Sequence, residues 1–234
     1  KAGNKHIEKL IHYRNGVINQ QVISFQVVPK LNTFGRLADV VNVNNMVRYF
    51  LLEDDLQIDS VSKDITKLNR ERIEMTRKTF ESCDMIQKYG TLNILIDEDI
   101  HEGITGLIAG RHLKDLLEPV LVLTKVGNLY KGSGRSPKGY DIHALLDPIS
   151  DEFVSFGGHK QACGLSFEVD KKDHILNLIK EQSKDLVVET VEDPYLTVQL
   201  AQLNIKAVQE FQALEPYGVD FIKPLLKVGV DISK

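Results

Sequence analysis

Leu92-Asn93-Ile94-Leu95-Ile96 and Pro119-Val120-Leu121-Val122-Leu123-Thr124 decide the fold, because a helical pattern lies between them. Each is a short apolar run bounded by turn residues, which predicts a buried strand. Between the runs, Ile104, Leu107, Ile108 and Leu116 fall on one face of a predicted helix over 104–117. Strand, helix and strand over this distance form a βαβ unit, so the two strands are predicted to run parallel. Asp97-Glu98-Asp99, ahead of the helix, reads as a solvated turn.

Downstream, the Val126-Gly127-Asn128 turn leads into a third strand beginning at Leu129–Lys131. The segment Lys131-Gly132-Ser133-Gly134-Arg135-Ser136 then reads as a glycine-rich loop. It combines backbone N–H donors, two hydroxyls and two cations, a composition suited to cradling phosphate. The alternative is a hairpin turn with exposed charges. Short helices are predicted over 142–146 and 150–154.

Next comes Phe156-Gly157-Gly158-His159-Lys160-Gln161-Ala162-Cys163-Gly164. Its paired glycines let the backbone pass close to a bound group. Residues 160–163 are expected to start a short helix whose free N–H groups favour an anion. The two glycine-rich segments are therefore expected to line one phosphate-gripping cleft. A strand over 165–169, a helix over 172–183 and an acidic linker over 187–193 follow. A strand at 196–200, a helix at 205–214 and a strand at 225–232 begin a further unit.

Upstream, a helix is expected over 5–13, and Pro29 breaks the apolar run Val17–Val28, pointing to a loop through Lys30–Arg36. Ala38, Val41, Met46, Phe50 and Leu51 suit one helix. Ile65, Leu68, Ile73, Phe80, Cys83 and Ile86 suit a long connector helix over 62–89. The arginines between them read as a solvated face.

The 234 residues are 42% hydrophobic and 26% charged, with a net charge of −4. That balance argues against a broadly basic nucleic-acid coat, so phosphate binding has to be local. Two cysteines, Cys83 and Cys163, lack metal spacing and read as small buried thiols. No membrane-length apolar run or signal peptide is present, which leads us to expect a cytoplasmic protein. A first residue that is Lys1, and a closing strand, read as ends cut from something larger.

The motif order resembles the RecJ family of single-strand-specific exonucleases in the DHH phosphoesterase superfamily. It is carried by Pro29…Leu31-Asn32…Gly35-Arg36-Leu37, His101-Glu102-Gly103-Ile104-Thr105-Gly106, Lys131–Ser136 and Phe156-Gly157-Gly158-His159…Ala162…Gly164-Leu165. Leu214-Glu215-Pro216-Tyr217-Gly218 extends the likeness. Departures are Ile100 where the family places an aromatic, and Cys163 where it places a small apolar residue. The family's metal motifs, an Asp-x-Asp strand and an Asp-His-His triplet, do not occur in this sequence; Asp97-Glu98-Asp99 is acidic but belongs to the turn before His101.

What the resemblance implies is an α/β fold: a helical connector, a DHH-associated domain with a mixed sheet flanked by helices, and the start of an OB-like β unit. Residues 1–60 would end the catalytic lobe, 61–89 connect, 90–186 form the DHH-associated domain, and 187–234 hold the linker and OB-like start. The implied activity is 5′→3′ hydrolysis of single-stranded DNA in repair and recombination. Mn²⁺ or Mg²⁺ would serve the complete enzyme, and this chain alone is expected to bind no metal and to cut nothing. His159 would be the catalytic contact, on the phosphate nearest the scissile bond. Lys131, Gly132, Ser133, Gly134, Arg135, Ser136, Gly157, Gly158, His101, Asn32 and Arg36 would bind substrate. His101 equally suits a hydrogen-bonding role at a helix start, and Arg36 and Asn32 suit holding the lobes together. Arg111 reads as packing or a salt bridge, and Tyr130, Phe156 and Tyr140 as core rather than base-stacking rings. Implied partners are single-stranded DNA, a single-stranded-DNA-binding protein and a RecQ-type helicase, with no membrane. Other readings are an oligoribonuclease or nucleoside-bisphosphate phosphatase relative, and a non-catalytic nucleic-acid scaffold.

Overall fold

The computed structural model describes residues 4–12, 18–83, 86–184, 194–218 and 221–229. The chain divides into two compact units, residues 1–189 and 190–234.

The first unit opens with helices. Asn4 caps α1 (Lys5–Lys9) by accepting from the His6 and Ile7 amides. Tyr13, the expected end of that helix, lies outside the described residues. α2 (Gln20–Val22) passes through one π turn, Ile23–Val27, into α3 (Val28–Arg36). The expected loop at Pro29 is therefore corrected to helix. Proline has no N–H to donate, and here it sits in the first turn of α3, where that donor is dispensable. The preceding turn widens so that the Val28 amide reaches the Ile23 carbonyl.

α4 (Asn44–Phe50) and α5 (Asp55–Ser82) follow. α5 starts earlier than expected because Asp54 caps the Gln57 amide at 2.8 Å. Ile58, Ser62, Ile65, Thr66 and Asn69 form its buried stripe, spaced to face α3. Leu10, Val27, Phe34, Tyr49, Ile58 and Ile65 make up the core of this helical part.

The predicted connector does not reach Tyr89. β1 (Ile86–Tyr89) pairs antiparallel with β2 (Leu92–Ile96) across a turn at Gly90, whose φ of +61° suits glycine. α6 (Thr105–Leu116) then carries the chain to β3 (Val120–Val126), which lies parallel to β2 as predicted. β4 (Leu129–Arg135), α7 (Ile142–Leu146), β5 (Ser155–His159), β6 (Ala162–Glu168) and α8 (Lys172–Gln182) complete the unit. The sheet order is β1-β2-β3-β4-β6-β5, and β2–β3 is its single parallel pair.

Each face of the sheet has its own core. On one side Leu121, Leu123, Tyr130, Cys163, Leu165 and Phe167 pack under Ile142 and Leu146 of α7 and Ile175 and Ile179 of α8. On the other, Leu95, Val120 and Val122 pack under Ile104 and Ile108, with Phe80 of α5 against them. This second cover reaches β4, where Thr105 of α6 hydrogen-bonds Ser133 and Gly106 lies against Arg135. The architecture is a mixed α/β sheet flanked by helices, as expected.

His112, on the inner side of α6, packs tilted against Phe80 with ring centroids 4.5 Å apart, and its buried Nε2 has no partner among the described residues. Burial holds its pKa below the ordinary imidazole value, opposed by Asp115 and reinforced by Arg111. The folded state thus binds this proton less readily than the unfolded chain. Stability is full above about pH 6.5 and falls as pH drops through that value, by at most about 1.4 kcal/mol per unit. Urea unfolding at pH 7.5 and 5.5 should show a smaller acid loss in His112→Leu than in wild type. Equal losses would refute the assignment.

In the second unit, β7 (Tyr195–Gln199) runs parallel to β8 (Leu225–Gly229), with α9 (Ile205–Ala213) between them in sequence. The expected linker over 187–193 and the strand end at 230–232 lie outside the described residues.

Candidate nucleic-acid interface

The segment Lys131–Ser136 is no loop. Its first five residues are the second half of β4, paired with β3 on one side and β6 on the other. Gly132 and Gly134 are there for packing rather than flexibility. A Cβ on Gly132 would stand 2.4 Å from Leu123 Cδ2, and one on Gly134 2.6 Å from Cys163 Sγ. Both glycines therefore face the α7–α8 core, away from any ligand on the other side. Strand alternation then sends Lys131, Ser133 and Arg135 to the opposite face.

The expected helix after His159 is likewise a hairpin: β5 and β6 pair His159 with Ala162 across a two-residue turn, Lys160-Gln161. No helix N-terminus or dipole is available there. Gly158, at φ +146°, makes the close crossing possible, since a Cβ would meet the Ala162 carbonyl at 2.3 Å.

These two corrections bring the segments together by another route. Arg135 pairs with Ala162, and Ala162 with His159, so the three form one row across three strands. Opposed residues share a face, which puts Arg135 and His159 side by side about 10 Å apart, two strand spacings. The next row is Ser133, Gly164 and Gly157, and the one beyond is Lys131, Ser166 and Ser155. Gly157 and Gly164 are exposed; a Cβ on Gly157 would meet nothing, and one on Gly164 only the Gly132 carbonyl at 3.8 Å. The result is a bare floor with a guanidinium at one end and an imidazole at the other.

Arg135 is half-buried and forms no ion pair with an acid among the described residues. Its Nη1 donates to the Gly134 carbonyl at 2.7 Å, and Gly106 of α6 leaves room for its Nη2. Arg36 donates to the Gly103 carbonyl at 3.1 Å. Burial pulls both arginines below the usual guanidinium value, and Arg135 adds repulsion at Arg36. Both stay charged at neutral pH. Arg72 of α5, bonded to Asn69 Oδ1 at 2.9 Å, is pulled down by burial and then by Arg36. Sequence reasoning left Arg72 on a solvated face; nothing short of the α3–α5 packing reveals it.

Other expected residues are accounted for differently. Ser136 is buried and donates to the Tyr140 carbonyl at 2.7 Å, so it anchors the β4 exit instead of facing a ligand. Ser133 shares a hydrogen bond with Thr105 at 3.0 Å, and Lys131 pairs with Glu102 at 2.5 Å. His101 resolves to its helix-start role: Nδ1 accepts from the Gly103 amide at 3.0 Å, which leaves Nε2–H to donate to Asp39. Asn32 is exposed on α3, and His159 is exposed at the hairpin end. Tyr130 and Tyr140 are each 2% exposed, and Phe156 points to the other face, stacked on His143 at 4.7 Å. Base stacking by these rings is thereby set aside. Arg111 lies over the Phe80 ring at 4.1 Å, a packing role as expected. Both cysteines are buried and neither is in a disulfide among the described residues; Cys83 Sγ donates to Asp97 Oδ2 at 3.4 Å, and burial pushes the Cys163 thiol up to about 11.

Among the described residues no three His, Cys, Asp or Glu side chains gather to hold a metal ion. These residues do not fit a divalent-metal centre. No described helix is long and apolar enough to cross a membrane.

Residues 87–185 match the DHHA1 domain family. The single-stranded-DNA-specific exonuclease RecJ of Bacillus subtilis is 25% identical over 234 residues, covering 96% of this chain and 29% of the relative. RecJ of Escherichia coli is 25% identical over 225 residues, covering 87% of this chain and 38% of the relative. The chain thus spans about a third of the length of these curated relatives. Crystal structures of Thermus thermophilus RecJ in complex with Mg²⁺ and with Mn²⁺ share the fold, each at a TM-score of 0.77. Their identities are 20% and 21%, with 94% and 96% of this chain and 34% of each neighbour covered. Residues 87–185 thus match the DHHA1 domain family, and nearly the whole chain is similar to part of the RecJ exonucleases, whose fold it shares.

Proposed function

We propose that the face of β4, β6 and β5 beside the start of α6 grips the backbone of single-stranded DNA, as the substrate-binding part of a RecJ-like 5′→3′ exonuclease in repair and recombination. One observation carries this reading: Arg135, Ala162 and His159 stand in a single row across β4, β6 and β5, with Arg135 half-buried beside Gly106 of α6 and His159 exposed at the hairpin end. Arg135 offers a fork of donors matched to phosphate. Arg36 adds a second fork near it, and His159 adds a donor on the far side of the glycine floor. Gly157 and Gly164 let the sugar–phosphate chain lie directly on the backbone.

In the complete enzyme, divalent ions (Mn²⁺ or Mg²⁺) would supply activated water and charge neutralisation at the phosphoryl group. Because the described residues hold no such centre, the contribution assigned to this chain is binding and orientation of the phosphate. We also assign to this reading the four-part division of the chain, with the connector ending at Ser82 instead of residue 89, an OB-like character for the C-terminal unit, and a cytoplasmic setting. Contacts with a single-stranded-DNA-binding protein and a RecQ-type helicase belong to it as well.

The test is oligothymidylate binding by the whole chain across a salt series, with Arg135→Ala against wild type. Unchanged affinity in the variant would remove the basis of the reading. The paired glycines supply an independent check. Gly157→Ala should leave unfolding within about 0.5 kcal/mol of wild type while weakening DNA binding about tenfold. Gly158→Ala should instead destabilise the hairpin by about 2 kcal/mol or more, since both φ and the Ala162 carbonyl oppose a side chain. Normal DNA binding by Gly157→Ala would show that its open surface is not a ligand path.

A further inference from the structure

The seam between α3 and α5 carries a second set of basic groups, away from the sheet face. Lys30, 4% exposed, donates to the Leu10 carbonyl. Two residues beyond Leu10, the His12 amide is held by Gln26 Oε1 at 3.0 Å. One turn along α3 from Lys30, Thr33 donates to Asn69 Oδ1 at 3.1 Å, which fixes the two helices in register beside Arg70. Arg70 is exposed and makes no hydrogen bond or ion pair among the described residues. Glu74, one turn further on α5, is taken by Arg77 through two bonds of 3.0 and 2.7 Å.

The local electrostatics agree with this clustering. Burial and then Arg70 pull Lys30 below the ordinary lysine value. Burial, then Lys30 and Arg70, pull His12 below the ordinary imidazole value. Two cations and an imidazole that repel one another are stabilised together by an anion. Six residues of α3 separate Lys30 from Arg36, about 9 Å along the helix axis.

We infer that His12, Lys30 and Arg70 form a second phosphate site, which takes the DNA strand a few nucleotides beyond the Arg36–Arg135 grip. This rests on the nucleic-acid reading of the sheet face and extends it onto the helical part of the chain. Lys30 supplies a fixed charge set in the α3–α5 seam, Arg70 an exposed fork, and His12 a ring donor.

The experiment measures anisotropy of labelled oligothymidylates of about 3 and about 12 nucleotides on the whole chain, over a salt series. Arg70→Gln is the variant, because an exposed side chain without partners can be replaced without disturbing the fold; thermal melts confirm that. The expected result is weaker binding of the long oligomer, by about 3- to 10-fold, and a salt slope reduced by about 0.7, one phosphate contact on a single strand. The short oligomer should bind unchanged. Wild-type binding of both by Arg70→Gln, with Arg135→Ala weakening both, overturns the second site and leaves the sheet-face reading standing. Equal weakening of short and long oligomers by Arg70→Gln also overturns it. If neither variant alters binding, the sheet-face reading fails and takes this inference with it.

Discussion

Arg135→Ala is expected to weaken single-stranded DNA binding by about 10- to 100-fold, the range for losing a charge-assisted contact of about 1.5–3 kcal/mol. The salt slope should fall by about 0.7, since one phosphate contact on a single strand is lost. Stability should hardly move. Among the described residues Arg135 has no acid partner and bonds only the adjacent carbonyl of Gly134, and its removal relieves repulsion at Arg36. Arg135→Lys keeps the charge but loses the planar fork, so it should bind with intermediate affinity. Should Arg135→Lys bind no better than Arg135→Ala, phosphate charge is not what this position reads.

Gly103→Ala is expected to cost about 3 kcal/mol or more in urea unfolding, the largest stability effect foreseen for a single methyl group in this chain. A Cβ there would lie 1.6 Å from the Arg36 carbonyl oxygen and 2.6 Å from its carbon. Both atoms are backbone, so no rotamer change relieves the clash and α3 has to move off the start of α6. The same contact aims Arg36, through its bond to the Gly103 carbonyl, and lies beside the His101–Asp39 pair. DNA binding should therefore fall along with stability. Unfolding within about 0.5 kcal/mol of wild type would mean that the two elements are not in this contact.

Different parts of this arrangement were legible to different degrees. The βαβ core reads directly, because β2 and β3 are continuous apolar runs and α6 has a one-sided apolar face. The arginines on α5 gave a weaker signal. Arg77 does lie on a solvated face, paired with Glu74 and Glu81. Arg72 has the same local pattern yet belongs to the cation group around Arg36. Pro29 misleads for a local reason: proline breaks most helices, and the π turn that rescues this one depends on how residues 20–36 pack.

The chain of residues alone determined the α/β class, the parallel pair, the buried thiols and rings, and the order of the four motifs. Periodicity and side-chain size report those directly. It did not determine that Gly132, Gly134 and Gly158 serve packing while Gly157 and Gly164 stay open. A glycine looks the same in sequence whether a neighbour or a ligand fills its missing side chain. Which applies depends on what the opposite layer places there, here Leu123, Cys163 and Ala162 against empty space. Only tertiary structure decided that, and with it the alignment of Arg135 and His159 by strand register.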